Sequence, residues 1–250
     1  MGFRSLGFSG HGYVPFEGLY CGMTPEGAVQ YRGDIKRAKE ACNDGRFNVY
    51  AGIENDSANL LPLDGYDYSI GSVHCIKCGD KYYSIDSSAA VVASAVADEF
   101  NGDGLAYAKA YFCALNEFVS EKRADILGHL DIVRRFNKID KDSEAFVFFD
   151  EQNADYRRAA VNALELAVRS GYIIEVNTAP ILKGFSNEPY PAFFLLEAAR
   201  ELGARVIVSS DAHYAANLNY AFERVEAVLR RMGFRERWEL APDGFQPVRV

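Results

Sequence analysis

The chain has 250 residues, 49% of them hydrophobic and 25% charged, which is typical of a folded globular protein and excludes a disordered or collagen-like one. Its formal net charge of −8 argues against nucleic acid or an anionic membrane as the main partner, while a small anionic substrate stays compatible. We predict a cytoplasmic protein with free thiols, because the count of five cysteines is odd and the N-terminus lacks a long apolar segment. We also predict no membrane span, because no stretch approaches about 18 consecutive apolar residues.

Predicted strands and helices alternate along the chain without a repeat or a linker, so we expect one domain over residues 1–250. Apolar runs that alternate with amphipathic helices are typical of parallel strands covered on both faces, which predicts an α/β fold. Residues 68–76 are also expected to pair with residues 81–86 around the turn at Gly79. We predict strands at residues 5–9, 48–54, 68–76, 81–86, 125–131, 172–178 and 205–213. We predict helices at residues 25–42, 87–99, 104–122, 153–170, 191–202 and 217–232.

Polar residues recur where the predicted strands end, which favours a barrel over an open sheet, because the C-terminal ends of barrel strands carry the active site. The chain has only four histidines, and all of them lie at such ends. His129 and Asp131 are expected to share a face of their strand, as are Asp211 and His213. A lone histidine there is most often a hydrogen-bonded core residue, but that interpretation explains four equivalent placements poorly. The strand-end residues are His11, Glu54, His74, His129, Glu175, Asn177, Asp211 and His213.

Imidazoles and carboxylates in this combination are ligands for Zn²⁺, Mn²⁺ or Fe²⁺, and a carboxylate such as Glu54 can bridge two ions. Two ions about 3.5–4 Å apart can bind a phosphoryl group and activate water, which favours hydrolysis of a phosphate ester. Arg134, Arg135 and Lys183 follow predicted strands and could hold the phosphate, the alternative being solvated surface charge.

Other chemistries find little support in the sequence. Cys75 and Cys78 form a C-x-x-C without a second pair, so we interpret them as structural rather than as a zinc ribbon or a redox site. The chain also lacks a G-x-S-x-G nucleophile turn and the glycine-rich loops of nucleotide-binding folds.

In their order along the chain, these motifs resemble the PHP (polymerase and histidinol phosphatase) superfamily, and within it the monofunctional histidinol-phosphatases. The resemblance spans nearly the whole chain, and the V-N-T and E-P-Y-P elements favour the histidinol-phosphatase branch. The matching segments are LGFSGHGYVPFE (6–17), GIEND (52–56), YSIGSVH (68–74), ILGHLDIVRRFN (126–137), EVNTAPILKGFSNEPYP (175–191) and VIVSSDAH (206–213).

This resemblance implies a distorted (β/α)7 TIM-like barrel with up to three divalent ions, of Zn, Mn or Fe, at the C-terminal ends of its strands. Glu54 matches the bridging carboxylate, and Asp211 and His213 are also expected to act in catalysis. The implied metal ligands are His11, Glu54, His74, His129, Asp211 and His213.

The implied reaction is hydrolysis of the phosphomonoester L-histidinol phosphate to L-histidinol and phosphate, in histidine biosynthesis, by attack of a metal-bound hydroxide. Arg134 matches a phosphate-binding arginine. Lys183 stands where relatives usually have arginine, which keeps the charge and loses the bidentate fork. Asp131 or Glu188 could meet the amine of the substrate.

One departure from the family concerns its first strand, which carries an H-x-H motif of two metal ligands. No H-x-H occurs in these 250 residues, so we expect the first strand and helix, roughly 25–35 residues, to be missing. We favour Met1 as an internal methionine of a longer gene over a decayed or split variant. The alternatives to a histidinol-phosphatase are a phosphoesterase for another small phosphate ester and a truncated, inactive metal-binding remnant.

Overall fold

Strands and helices alternate in the computed structural model, which describes residues 3–14, 22–59, 62–121, 124–139, 141–142 and 144–250. Within these ranges the strands are β1 (Ser5–His11), β2 (Asn48–Asp56), β3 (Tyr68–Ser72), β4 (Cys75–Cys78), β5 (Lys81–Ser84), β6 (Ile126–Leu127), β7 (Ile173–Asn177), β8 (Val206–Ser209), β9 (Glu236–Ala241) and β10 (Gly244–Arg249). The helices of four or more residues are α1 (Pro25–Cys42), α2 (Ala89–Phe100), α3 (Gly104–Glu121), α4 (Ala154–Arg169), α5 (Ala179–Leu182), α6 (Phe193–Glu201) and α7 (Phe222–Met232).

Six parallel strands form the main sheet, in the order β1, β2, β3, β6, β7, β8, which confirms the predicted α/β class. The sheet curls into a half-barrel, and its two edge strands, β1 and β8, line opposite sides of one cleft of about 930 Å³. Because parallel strands begin at the same end of a sheet, their C-terminal residues meet at one rim of this cleft.

Local sequence sets the limits of several helices. Thr24 caps α1 by accepting the N–H of Gly27 at 3.0 Å, and Asn153 caps α4 in the same manner. Gly171 ends the α4 region with φ of +86°, a conformation that glycine adopts without strain. In the described part of the chain, no helix is long and apolar enough to cross a membrane.

The structure differs from the sequence prediction over residues 68–76 and 217–232. The first segment is divided between β3 and β4, and β4 pairs antiparallel with β5, with Cys75 opposite Ser84. Helix α7 starts at Phe222 rather than at residue 217, because Ala221 has φ of +60° and interrupts the helical path.

A C-terminal hairpin of β9 and β10 was not predicted. Its side chains Trp238, Leu240 and Phe245 pack against the apolar cluster of Tyr68 and Ile126 inside the half-barrel. The hairpin therefore covers apolar surface of the sheet and lines part of the same cleft as the polar rim.

Strand register brings the polar residues of the rim into contact. In the pairing of β1 with β2, His11 lies beside Glu54, and in the pairing of β2 with β3, Asp56 lies beside Ser72. His74 follows the end of β3 by two residues, and His129 follows the end of β6 by two residues. The register of the sheet thus places three imidazoles around the end of β2.

Candidate metal centre

Three imidazoles surround the carboxylate of Glu54. His11 Nδ1 lies 3.1 Å from Glu54 Oε2, while His74 Nε2 and His129 Nε2 lie 3.2 and 3.1 Å from Glu54 Oε1. The ring of His74 stands edge-on between the other two, with ring centroids 5.3 Å from His11 and 5.0 Å from His129. Nitrogen donors on three strand ends are therefore directed at one carboxylate.

The cluster concentrates charge in a buried place. Burial raises the pKa of Glu54, but the neighbouring His74, His129 and His11 outweigh burial and hold this pKa well below its ordinary value. Burial lowers the pKa of His74, but Glu54 and Asp56 outweigh it and hold this pKa well above 6.5. The pKa of His129 is raised in the same way, mainly by its hydrogen bond with Glu54 against the effect of burial. Glu54 is therefore anionic and lies beside two imidazoles, those of His74 and His129, whose pKa is raised.

The donor set fits a divalent cation. One ligand atom each from His11, Glu54 and His74 lies within 4.8 Å of the others, and among the described residues this is the group with such spacing. Histidine nitrogens with a carboxylate oxygen are the donors that Zn²⁺ accepts. His129 adds a third imidazole, which is buried and contacts the same carboxylate. The structure thus brings four of the six predicted ligands together.

Backbone strain marks two of the predicted ligands. His129 has φ of +20° and Asp211 has φ of +47°, values that residues other than glycine rarely adopt. Strained residues persist where the surrounding structure fixes them, and they concentrate at functional sites. Both residues line the cleft between β1 and β8.

Asp211 and His213 line the cleft that also contains His11 and Glu54, but they make their own contacts. His213 Nδ1 lies 3.1 Å from the main-chain oxygen of Asp211 and 3.9 Å from its carboxylate. Lys183 Nζ lies 3.8 Å from the same carboxylate. The His213 side chain is 61% exposed and so faces the solvent side of the cleft. These residues form a second polar group beside the imidazole cluster.

The expected shared face of His129 and Asp131 is wrong. Strand β6 ends at Leu127, so the alternation of a strand does not extend to these residues. His129 faces Glu54, whereas Asp131 is fully buried. Asp131 accepts a hydrogen bond from the main-chain N–H of Ala192 at 2.9 Å and forms an ion pair with Arg134. Asp131 is therefore enclosed in protein, and a contact with a substrate amine stays a prediction.

Arg134 is a buried residue with several partners. Its Nε donates to Asp131 at 2.8 Å, its terminal nitrogens donate to Ser186 and to the main-chain oxygen of Pro189, and the guanidinium lies over the ring of Tyr190. Burial lowers the pKa of Arg134, but Asp131 outweighs it and raises the pKa above its ordinary value. This guanidinium is permanently charged, and its hydrogen bonds connect Asp131 to the segment with Ser186 and Pro189.

Three other residues named from the sequence are part of the fold: Glu188, Cys75 and Cys78. Glu188 accepts the main-chain N–H of Phe193 at 3.0 Å. Cys75 is buried, which raises the pKa of its thiol, and Cys78 ends the same short strand. Cys42, Cys75, Cys78 and Cys113 are free thiols, whereas Cys21 and the segment 15–17 of the first motif lie outside the described residues.

Two buried carboxylates behind the cluster were not assigned a role from the sequence. Asp56 accepts a hydrogen bond from His74 Nδ1 at 2.9 Å. Glu175 accepts the main-chain N–H of His129 at 2.7 Å. The alternation of strand β2 is the signal for the first, because it places Glu54 and Asp56 on the same face of the strand.

Comparisons with known proteins found a family model and relatives that cover most of the chain. The family model of the PHP domain matches residues 1–179. A Deinococcus radiodurans protein with a provisional histidinol-phosphatase name is 28% identical over 221 residues, which cover 85% of this chain and 75% of that protein.

Two solved structures have the same fold. A structure described as a candidate histidinol phosphatase, hisK, of Listeria monocytogenes superposes with a TM-score of 0.72 at 15% identity, covering 89% of this chain and 88% of that one. The histidinol phosphate phosphatase of Lactococcus lactis subsp. lactis Il1403, solved with zinc, L-histidinol and phosphate, superposes with a TM-score of 0.65 at 17% identity, covering 98% of this chain and 88% of that one.

Proposed function

The chain belongs to the PHP domain family, and from that premise we propose that it is a metal-dependent phosphomonoesterase that hydrolyses L-histidinol phosphate to L-histidinol and phosphate. The observation that carries the proposal is the set of three imidazoles directed at Glu54 in the cleft between β1 and β8. The name of the D. radiodurans relative and the ligands of the L. lactis structure support the choice of substrate.

The residues that would hold a metal are His11, Glu54, His74 and His129, with Asp211 and His213 beside them in the cleft. A divalent ion bound there supplies positive charge for the phosphoryl oxygens and makes water more acidic. We propose zinc, because it is the ion of the L. lactis structure, while manganese, iron and the number of ions, up to three, stay predictions.

Each side chain has a separate task in this proposal. Glu54, whose pKa is held low, stays anionic and balances the charge of the cations. His213 is exposed at the cleft and can hold and donate a proton to the oxygen that leaves with histidinol. Lys183, next to Asp211, adds a positive charge for the phosphate, in the role predicted for it from the sequence. A phosphate role for Arg134 stays a prediction.

We also propose that residues 1–250 act as one domain in the cytoplasm, with a small phosphate ester as the partner and without nucleic acid. The net charge of −8 supports the absence of nucleic acid, because it would repel a nucleic acid backbone.

The test is release of inorganic phosphate from L-histidinol phosphate by the purified chain loaded with Zn²⁺ or Mn²⁺. Glycerol 3-phosphate, phosphoserine and a nucleoside monophosphate serve as competing substrates. We expect L-histidinol phosphate to have the highest kcat/KM, and H74N and H213N to lose most of it. Asp44→Asn, at an exposed turn, is the control variant and should retain activity.

Two results would contradict the proposal. Faster hydrolysis of another ester would make the chain a phosphoesterase with a different substrate. A folded, metal-loaded chain that releases no phosphate from any ester would make it a metal-binding remnant.

A further inference from the structure

We propose that Asp56 positions His74 so that this histidine binds metal through Nε2, which makes Asp56 a positioning residue of the centre. This inference rests on the metal site of the proposed function. It concerns a residue that touches neither substrate nor metal and acts through one imidazole.

The Asp56 carboxylate is fixed in place by four hydrogen bonds. Its Oδ2 accepts from His74 Nδ1 at 2.9 Å and from the main-chain N–H of the same histidine at 3.0 Å. Its Oδ1 accepts from the N–H of Ala58 at 2.9 Å and from the hydroxyl of Ser57 at 3.2 Å. The side chain is completely buried, so water does not compete for these contacts. Asp56 therefore holds both the backbone and the ring of His74.

The chemistry of imidazole converts this contact into a choice of ligand atom. A neutral ring carries one N–H, and a carboxylate at Nδ1 keeps that proton on Nδ1. The lone pair is then on Nε2, which lies 3.2 Å from Glu54 Oε1 and faces the cluster. A carboxylate on the far nitrogen of a metal-binding histidine fixes its orientation and increases its basicity.

His129 provides the contrast within the cluster. It also directs Nε2 at Glu54, at 3.1 Å, but its buried Nδ1 has no hydrogen-bond partner among the described residues. The ring of His129 is thus held by Glu54 at Nε2 and through its backbone N–H. The ring of His74 is also held at Nδ1, by Asp56. Loss of Asp56 should act on His74 above all.

The experiment measures zinc affinity by competition with a chromophoric chelator at one pH. We expect Asp56→Asn to weaken zinc binding about 10–100-fold, the usual effect of losing such a partner. The matched control is Asp67→Asn, because the Asp67 carboxylate also anchors strand β2, accepting the N–H of Ala51 at 2.6 Å, and contacts no histidine. Asp67→Asn should leave zinc affinity within a factor of about three. Equal zinc affinity in Asp56→Asn and the wild type, or equal losses in the two variants, would overturn the proposal.

A measurement on the wild type covers the case in which Asp56→Asn does not fold. Long-range ¹H–¹⁵N spectra of the zinc-loaded protein separate the two tautomers of each of its four histidines, and H74N assigns the signal of His74. We expect His74 with a protonated Nδ1 and zinc on Nε2. Zinc on Nδ1 of His74, or a proton on its Nε2, would overturn the proposal.

These outcomes are distinct from failure of the proposed function. If the wild type binds zinc with the expected His74 tautomer and releases no phosphate, the proposed function fails and the role of Asp56 stands. If the wild type hydrolyses L-histidinol phosphate while Asp56→Asn binds zinc as tightly, the role of Asp56 fails alone. A wild type that binds no zinc would overturn both.

Discussion

Glu175 accepts the main-chain N–H of His129 at 2.7 Å, so a buried carboxylate on β7 holds the backbone of a predicted ligand that follows β6. The same carboxylate accepts from the side chains of Asn177 and Ser209, at the ends of β7 and β8. Burial raises the pKa of Glu175, and the hydrogen bonds and His129 only partly offset it. One side chain therefore connects three strand ends and supports the strained φ of +20° at His129.

We expect Glu175→Ala to lower the free energy of unfolding by about 1–3 kcal/mol, because it leaves the buried N–H of His129 without an acceptor. Urea denaturation followed by circular dichroism measures this change. Glu175→Gln retains an acceptor oxygen and should lose less. Glu197→Ala, on the exposed face of α6, is the control and should change the free energy by less than about 0.5 kcal/mol. Equal stability of Glu175→Ala and the wild type would contradict the supporting role of Glu175.

The contacts of Arg134 predict a loss of stability when it is removed. Arg134→Ala leaves Asp131 as a buried charge without its partner, which costs about 3–5 kcal/mol in comparable sites. Differential scanning calorimetry and urea denaturation measure the loss. The same change at Arg158, in an exposed pair with Asp155, is the control and should cost about 1 kcal/mol or less. A variant of Arg134 that keeps its stability and raises only the KM for the phosphate ester would instead support the phosphate role predicted from the sequence.

The strand ends could be predicted from the sequence because parallel strands bring their C-terminal residues together. His11 and Glu54 stand at the ends of predicted strands, and the register places them side by side. The relation of His129 to Asp131 could not be predicted, because β6 has two residues and His129 takes a positive φ that depends on Glu175, 46 positions away. Such a conformation depends on tertiary contacts and has no local pattern.

The C-terminal hairpin had a usable local signal. Pro242, Asp243 and Gly244 form a turn sequence between two short segments with alternating side chains, and Gly244 has φ of +101° there. Pro247 within β10 weakens the strand pattern, because proline cannot donate a ladder hydrogen bond. The start of α7 at Phe222 depends on the positive φ of Ala221, which no residue preference predicts.

Zinc should stabilise the wild-type fold, and removal of Glu54 should abolish this effect. A ligand that binds the folded state raises the free energy of unfolding by about 2.7 kcal/mol at a hundredfold excess over its Kd. We expect a chelator to lower the Tm of the zinc-loaded wild type and to leave the Tm of Glu54→Gln unchanged, because Glu54 is the carboxylate that all three imidazoles share. Atomic emission analysis of bound zinc is the parallel measurement. Tight zinc binding by Glu54→Gln would place the metal elsewhere.

The zinc affinity should also rise with pH. Zinc binds neutral imidazoles. In the metal-free cluster, burial lowers the pKa of His74 and of His129, but their contacts with Glu54 outweigh burial and raise both pKa values. Each ring therefore keeps its proton above pH 6.5 and must release it when zinc binds. The logarithm of the affinity should then increase by up to about one for each proton displaced per pH unit, and level off once both rings are neutral. Glu54 adds nothing to this slope, because its pKa is held low and it is already ionised. Chelator competition at pH values from about 6 to 9 measures the slope, and H129N should reduce it by up to about one. An affinity that stays constant between about pH 6.5 and 8 would mean that the imidazoles are neutral before zinc arrives.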